Sequence, residues 1–180
     1  MTAIVQKDDG VLREIAAEVP LQDIKGVKIK RILKSMETAL ETQEDGVALA
    51  APQIGVSLRI FVVAKGAVRH SKRPTMAERI DLKKEKGVLV FINPKITKFA
   101  RDKEILDEGC LSVRWLYGKI KRSKKASIEA YDENGVFFTR GASGLLAQIF
   151  QHETDHLNGI LFTDNATELR EMPPAEGSRD

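Results

Sequence analysis

The chain has 180 residues, 29 Lys and Arg against 26 Asp and Glu for a net charge of +3, 42% hydrophobic residues, one cysteine and three histidines. Against a prior of ~150 residues per domain, one domain is expected. No apolar run approaches the ~18 residues of a membrane span. A single Cys forms no intrachain disulfide, and so slight a positive excess gives no ground for specific nucleic acid binding. The first ten residues carry Lys7, Asp8 and Asp9 where a secretory signal needs an apolar stretch. The expectation is a soluble, cytoplasmic, monomeric domain over residues 1–180 with no membrane partner.

Residues 27–44 predict an amphipathic helix. Val27, Ile29, Ile32, Leu33, Met36 and Leu40 recur at three- and four-residue steps, and Asp45-Gly46 ends the run. A small apolar stretch, 47–51, leads to Pro52. Segments 58–64 and 88–92 read as buried strands rich in β-branched and aromatic residues. Between them, 65–87 is expected to be a basic surface insertion with a helical piece near 77–84; no aromatic residue interleaves with its charges, which argues against a nucleic-acid patch. Further strands are expected at 119–122, 126–131 and 136–140, the last two joined by a turn at Asn134-Gly135. A second helix is expected from Ser143 to Leu157 with Asn158-Gly159 as its stop, then a short strand at 160–162 and a disordered tail over 171–180. These elements define an α+β fold: antiparallel strands packed around a C-terminal helix, with an N-terminal amphipathic helix.

The second helix contains His152-Glu153-Thr154-Asp155-His156, an H-E-x-x-H sequence. Residues four apart on a helix lie one above the other, so both imidazoles can share one metal ion. Leu145 and Ile149 fall on the same stripe, which turns the histidines toward the core. Glu153 lies about 100° round the helix, placed to reach a water on that ion without being a ligand. The bland alternative is a helix with two buried histidines and a surface Glu.

A catalytic metal typically takes three protein ligands. The H-E-x-x-H-x-x-G-x-x-H extension fails, because Phe162 stands where a third His would be. Glu168, Glu171 and Glu176 lie in what reads as a short helix and a loose tail, and His70 lies in the basic loop. Cys110, in Glu108-Gly109-Cys110-Leu111-Ser112, is the better candidate, since a thiolate binds zinc or iron(II) well. Taken alone, Cys110 reads better as an inert buried thiol.

With these segments together, the chain resembles the peptide deformylases. Their signatures G-x-G-L-A-A-x-Q, E-G-C-L-S and Q-H-E-x-D-H find counterparts, in that order, in Gly46–Gln53, Glu108–Ser112 and Gln151–His156. The resemblance extends to the helix before the first motif, Asn93-Pro94, Gly118, Arg122 and Gly144–Ala147. It implies a metal-dependent hydrolase that removes the N-formyl group from the initiator methionine of new polypeptides, releasing formate. It also implies Cys110, His152 and His156 as ligands of one divalent ion, iron(II) first, with zinc, nickel or cobalt as substitutes. Glu153 would handle the proton of the attacking water. Gln53 and the backbone N–H of Leu111 would stabilise the charge developing on the formyl oxygen. Gly46, Val47, Ala48 and Gly109 would hold the peptide as a neighbouring strand. Val47, Leu145 and Ile149 are the apolar candidates for a methionine pocket, and Glu108 could pair with Arg122 to brace the cysteine segment. The implied partners are N-formylmethionyl peptides and nascent chains, with a transient ribosome contact.

Two positions depart from the pattern. Ala48 replaces the second Gly of the first signature, a strained choice if that backbone needs φ > 0. Arg114 stands where many members carry Pro. Two other readings stay open: a metallopeptidase taking its third ligand from the tail, and a deformylase-like domain kept for binding, with a structural metal.

Overall fold

In a computed structural model the chain is described over residues 3–69 and 85–173. His70 and the helical piece expected near 77–84 lie outside the described residues. The elements are α1 (Val27–Glu41), β1 (Ala48–Ala50), β2 (Ile60–Ala64), α2 (Lys65–Arg69), β3 (Val88–Phe99), β4 (Lys103–Cys110), β5 (Val113–Ser123), β6 (Lys125–Tyr131), β7 (Phe137–Ser143), α3 (Gly144–Leu157) and β8 (Thr167–Glu171). The strands form a five-stranded sheet in the order β1-β2-β3-β6-β7 and a three-stranded sheet in the order β4-β5-β8. Every pairing is antiparallel.

The larger sheet is covered on both faces, which explains why β2 reads as an unbroken apolar run. Side chains alternate across a strand. Phe61, Val63 and Phe91 face Leu145, Leu146, Ile149 and Phe150 of α3, while Ile60, Val62, Val90 and Ile92 face Ile29, Met36 and Leu40 of α1. On the α3 side, Phe61 stacks on Phe91 at 4.5 Å between centroids, and Phe150 meets Phe91 edge-on at 5.3 Å. This packing fixes the height of α3 above the sheet. A third cluster (Leu12, Val113, Ile120, Leu161 and Phe162) fills the space under the smaller sheet.

Several boundaries move from the sequence reading. β3 continues to Phe99 because Asn93, with φ 50, absorbs an irregularity in its register with β6, and the Asn93 side chain bonds the Val19 backbone N and O at 2.8 and 2.7 Å. Residues 160–162 form no strand; a 3-10 turn spans Phe162–Asp164, with Phe162 buried. Lys65–Arg69, read as part of a surface loop, is helical, and Ala67 is fully buried. Glu171, assigned to a disordered tail, ends β8, and Glu168 lies in that strand rather than in a helix. Among the described residues no helix is long and apolar enough to cross a membrane.

Candidate metal centre

The site forms where α3 passes behind the β4–β5 hairpin. Cys110 ends β4, paired with Val113, and His152 and His156 lie on successive turns of α3. The ligand atoms of Cys110, His152 and His156 all fall within 4.8 Å of one another. Cys110 Sγ is 3.2 Å from His156 Nε2. Donors ~2.3 Å and ~2.0 Å from one ion at tetrahedral angles would stand roughly 3.5 Å apart, so the spacing suits a shared divalent cation.

The supporting shell is charged and buried. Glu108 Oε2 accepts from His152 Nδ1 at 3.0 Å, which leaves His152 Nε2 as the nitrogen that could bind a metal. Arg122 grips Glu108 with Nε and Nη2 at 2.8 and 3.0 Å and reaches Asp155 with Nη1 at 2.6 Å. Gln148 Nε2, one helical turn before His152, donates to Glu108 Oε1 at 3.2 Å and to the Asp107 carbonyl at 3.1 Å. Burial pushes the Glu108 carboxyl up, but hydrogen bonds from His152 and Arg122 outweigh it and hold it at about 2. The same contest gives Cys110 thiolate character. Burial raises its pKa, yet the attraction of His156 and a hydrogen bond with His152 bring it down to about 5. Gln151 ties α3 to the end of β5, accepting from Ser123 N at 2.9 Å and donating to Ser123 O at 3.0 Å.

Glu153 is 3% exposed, and its Oε2 has no hydrogen-bond partner among the described residues. Burial drives its carboxyl up to about 7, with the histidines pulling only partly against it. A buried carboxylate with an unpartnered oxygen beside three metal-type donors can hold a water. Gln53 turns its amide the same way. Its Oε1 accepts from Ala50 N at 2.8 Å, so Nε2 is left to donate toward Cys110 Sγ at 3.5 Å and Ser112 Oγ at 3.2 Å.

A cleft opens in front of these groups, with Gly46, Val47, Ala48 and Gln53 on one wall and Gly109, Cys110, Leu111 and Val113–Tyr117 on the other. Leu145, Gln148, Ile149, His152 and Glu153 form its floor. Gly109 is required by close approach, because an added Cβ would stand 2.6 Å from the Tyr117 ring. Ala48 carries no strain: it lies in β1 and is not among the residues with positive φ. Thus every site residue named from the sequence lies in or beside one cleft. Gln148, Ser112 and Asp155 were missed as supports. Asp155 could have been suspected from its place in the motif, whereas nothing local marks Gln148 beyond its four-residue step to His152.

Two imidazoles and a thiolate around a buried carboxylate, on an α+β frame, define a metal-dependent hydrolase. Comparison with known proteins makes this specific. The family model for polypeptide deformylase matches residues 1–172. Peptide deformylase 2 of Clostridium acetobutylicum is 39% identical over 161 residues, covering 89% of this chain and 92% of its own. The class I type b peptide deformylase of Acinetobacter baumannii, solved bound to Met-Ala-Ser, superposes with a TM-score of 0.77 at 29% identity, covering 92% of this chain and 99% of that one. The peptide deformylase of Thermotoga maritima gives 0.75 at 31% identity, covering 93% and 98%. The chain belongs to the peptide deformylase family, enzymes that remove the N-formyl group from the initiator methionine of new polypeptides.

Proposed function

We propose that Cys110, His152 and His156 hold one divalent ion, iron(II) by preference with zinc, nickel or cobalt able to replace it, and that Glu153, Gln53 and the backbone N–H of Leu111 carry the chemistry of deformylation. The observation behind this is the convergence of three donors within 4.8 Å beside a buried carboxylate whose Oε2 has no partner among the described residues. The ion, when bound, supplies Lewis acidity that brings ionisation of water toward neutral pH. Glu153 holds the attacking water, takes its proton and returns it to the departing amine. The formyl carbon bears only hydrogen, so attack is sterically open and the barrier lies in charge developing on oxygen. Gln53 Nε2, its own oxygen committed to Ala50, donates to that oxygen together with Leu111 N–H.

The substrate lies as an added strand between Gly46–Ala48 and Gly109, with the methionine side chain against Val47, Leu145 and Ile149. The tripeptide Met-Ala-Ser bound in the Acinetobacter relative supports a methionine-led ligand. The substrates are formylmethionyl peptides and nascent chains met in the cytoplasm by a monomer that touches the ribosome transiently. A peptidase drawing its third ligand from the C-terminal segment gains no support, because Glu168 is in an exposed strand and engages Lys119 at 2.8 Å. The test is formate release from formyl-Met-Ala with anaerobic metal analysis on wild type and Cys110→Ser. Loss of both metal and formate in the variant is expected; full metal occupancy in Cys110→Ser would refute the ligand set.

A further inference from the structure

The rim of the cleft contains a residue in a conformation its side chain resists. Trp115 has φ 64, one of three non-glycine residues with positive φ among those described. A bulky side chain in the left-handed region is disfavoured by its Cβ and persists only where the surroundings impose it. Here they do. Arg114 clamps Asp45 with Nη1 at 3.0 and 3.1 Å and also bonds Gln43, joining the β5 wall to the segment before β1. The Trp115 carbonyl accepts from Met172 N at 2.7 Å, just past the end of β8. The Arg114 guanidinium sits over the indole ring, 5.3 Å from its centroid.

This arrangement does not serve the core. Trp115 is 39% exposed, lines the cleft, and its indole N–H has no partner among the described residues. It stands two residues from Val113, the strand partner of Cys110. At ~3.3 Å per residue an extended peptide whose formyl end is at Cys110 carries its next side chains past this point. We propose that Trp115 is a specificity-determining residue, an aromatic platform for the side chain following methionine that favours flat or long apolar groups there. The proposal deepens the deformylase reading and rests on it for the identity of the substrate.

Trp115→Gly is the informative variant, because glycine adopts φ 64 freely. A structural tryptophan would lower Tm when removed; a platform held under strain would not. Wild type should favour formyl-Met-Phe-Ser over formyl-Met-Gly-Ser by about five-fold in kcat/KM, and the ratio should fall to near one in Trp115→Gly without loss of Tm. A ratio that is already near one in wild type, or that survives the substitution, overturns the proposal. A second readout is independent of turnover. Trp115 is the single tryptophan of the chain, so its fluorescence in zinc-loaded protein should saturate at lower concentrations of Met-Phe-Ser than of Met-Gly-Ser. That preference without formate release from any peptide would keep the platform and remove the deformylase reading. Equal titrations, or none, would remove the platform.

Discussion

An arginine meets carboxylate beneath the floor of the cleft and another does so at its rim, and the two do different work. Arg122 is 8% exposed, bonded to Glu108 and Asp155, and through Glu108 it reaches His152. Its charge is committed in a region water scarcely enters, where an unpaired partner is costly. The Arg114 and Asp45 side chains keep 25% and 22% of their surface in solvent. That pair sets the position of a loop rather than the charge state of a ligand. One site thus combines a buried, charge-paired centre with a partly exposed rim. Ala48, free of strain, and Arg114, paired with Asp45, stand on opposite walls of the cleft.

Breaking the floor should be far more damaging than breaking the rim. Glu153→Ala should lower kcat for formate release by about 10²–10⁴-fold while metal content stays at the wild-type level, as seen by paired turnover and metal analysis. Arg122→Ala should cost about 3–5 kcal/mol in denaturant unfolding, since it strands the Glu108 carboxylate in the interior. A Glu108 value of about 2 against 4.5 in an unfolded chain gives a definite sign: the carboxylate's contribution is full above pH 4.5 and disappears as pH falls toward 2. Unfolding of wild type and Glu108→Gln over pH 6 to 2 should therefore show a gap that closes by about 3 kcal/mol through that window. Gln53→Ala should reduce kcat on the order of 100-fold with little change in metal affinity. Arg114→Ala should be mildest, below ~1 kcal/mol in stability, with its effect confined to KM for substrates longer than formyl-Met-Ala.

What the sequence revealed follows the same division. The helix stripe carrying His152 and His156 was legible because spacing alone places side chains on a helix. β2 and the start of β3 were legible because both their faces are buried. β4 was hidden: its inward residues are Leu106 and Glu108, and a charged residue on the inner face erases the alternation that marks a strand. β8 was hidden for the opposite reason, since all five of its residues are exposed and no apolar alternation marks it. Cys110 could be singled out only by its ligand chemistry and the weakness of the other candidates, and its place beside the histidines was then implied by resemblance, because no local pattern brings residues 42 apart into contact. The strain at Trp115 has no signature in composition at all.

The most direct test of the central claim is formate release from formyl-Met-Ala by anaerobically purified protein, with bound metal counted in the same sample. One ion per chain with formate produced in proportion to occupancy is the expected result. A fully occupied protein that releases no formate would contradict the assignment of Cys110, His152, His156 and Glu153 to deformylation.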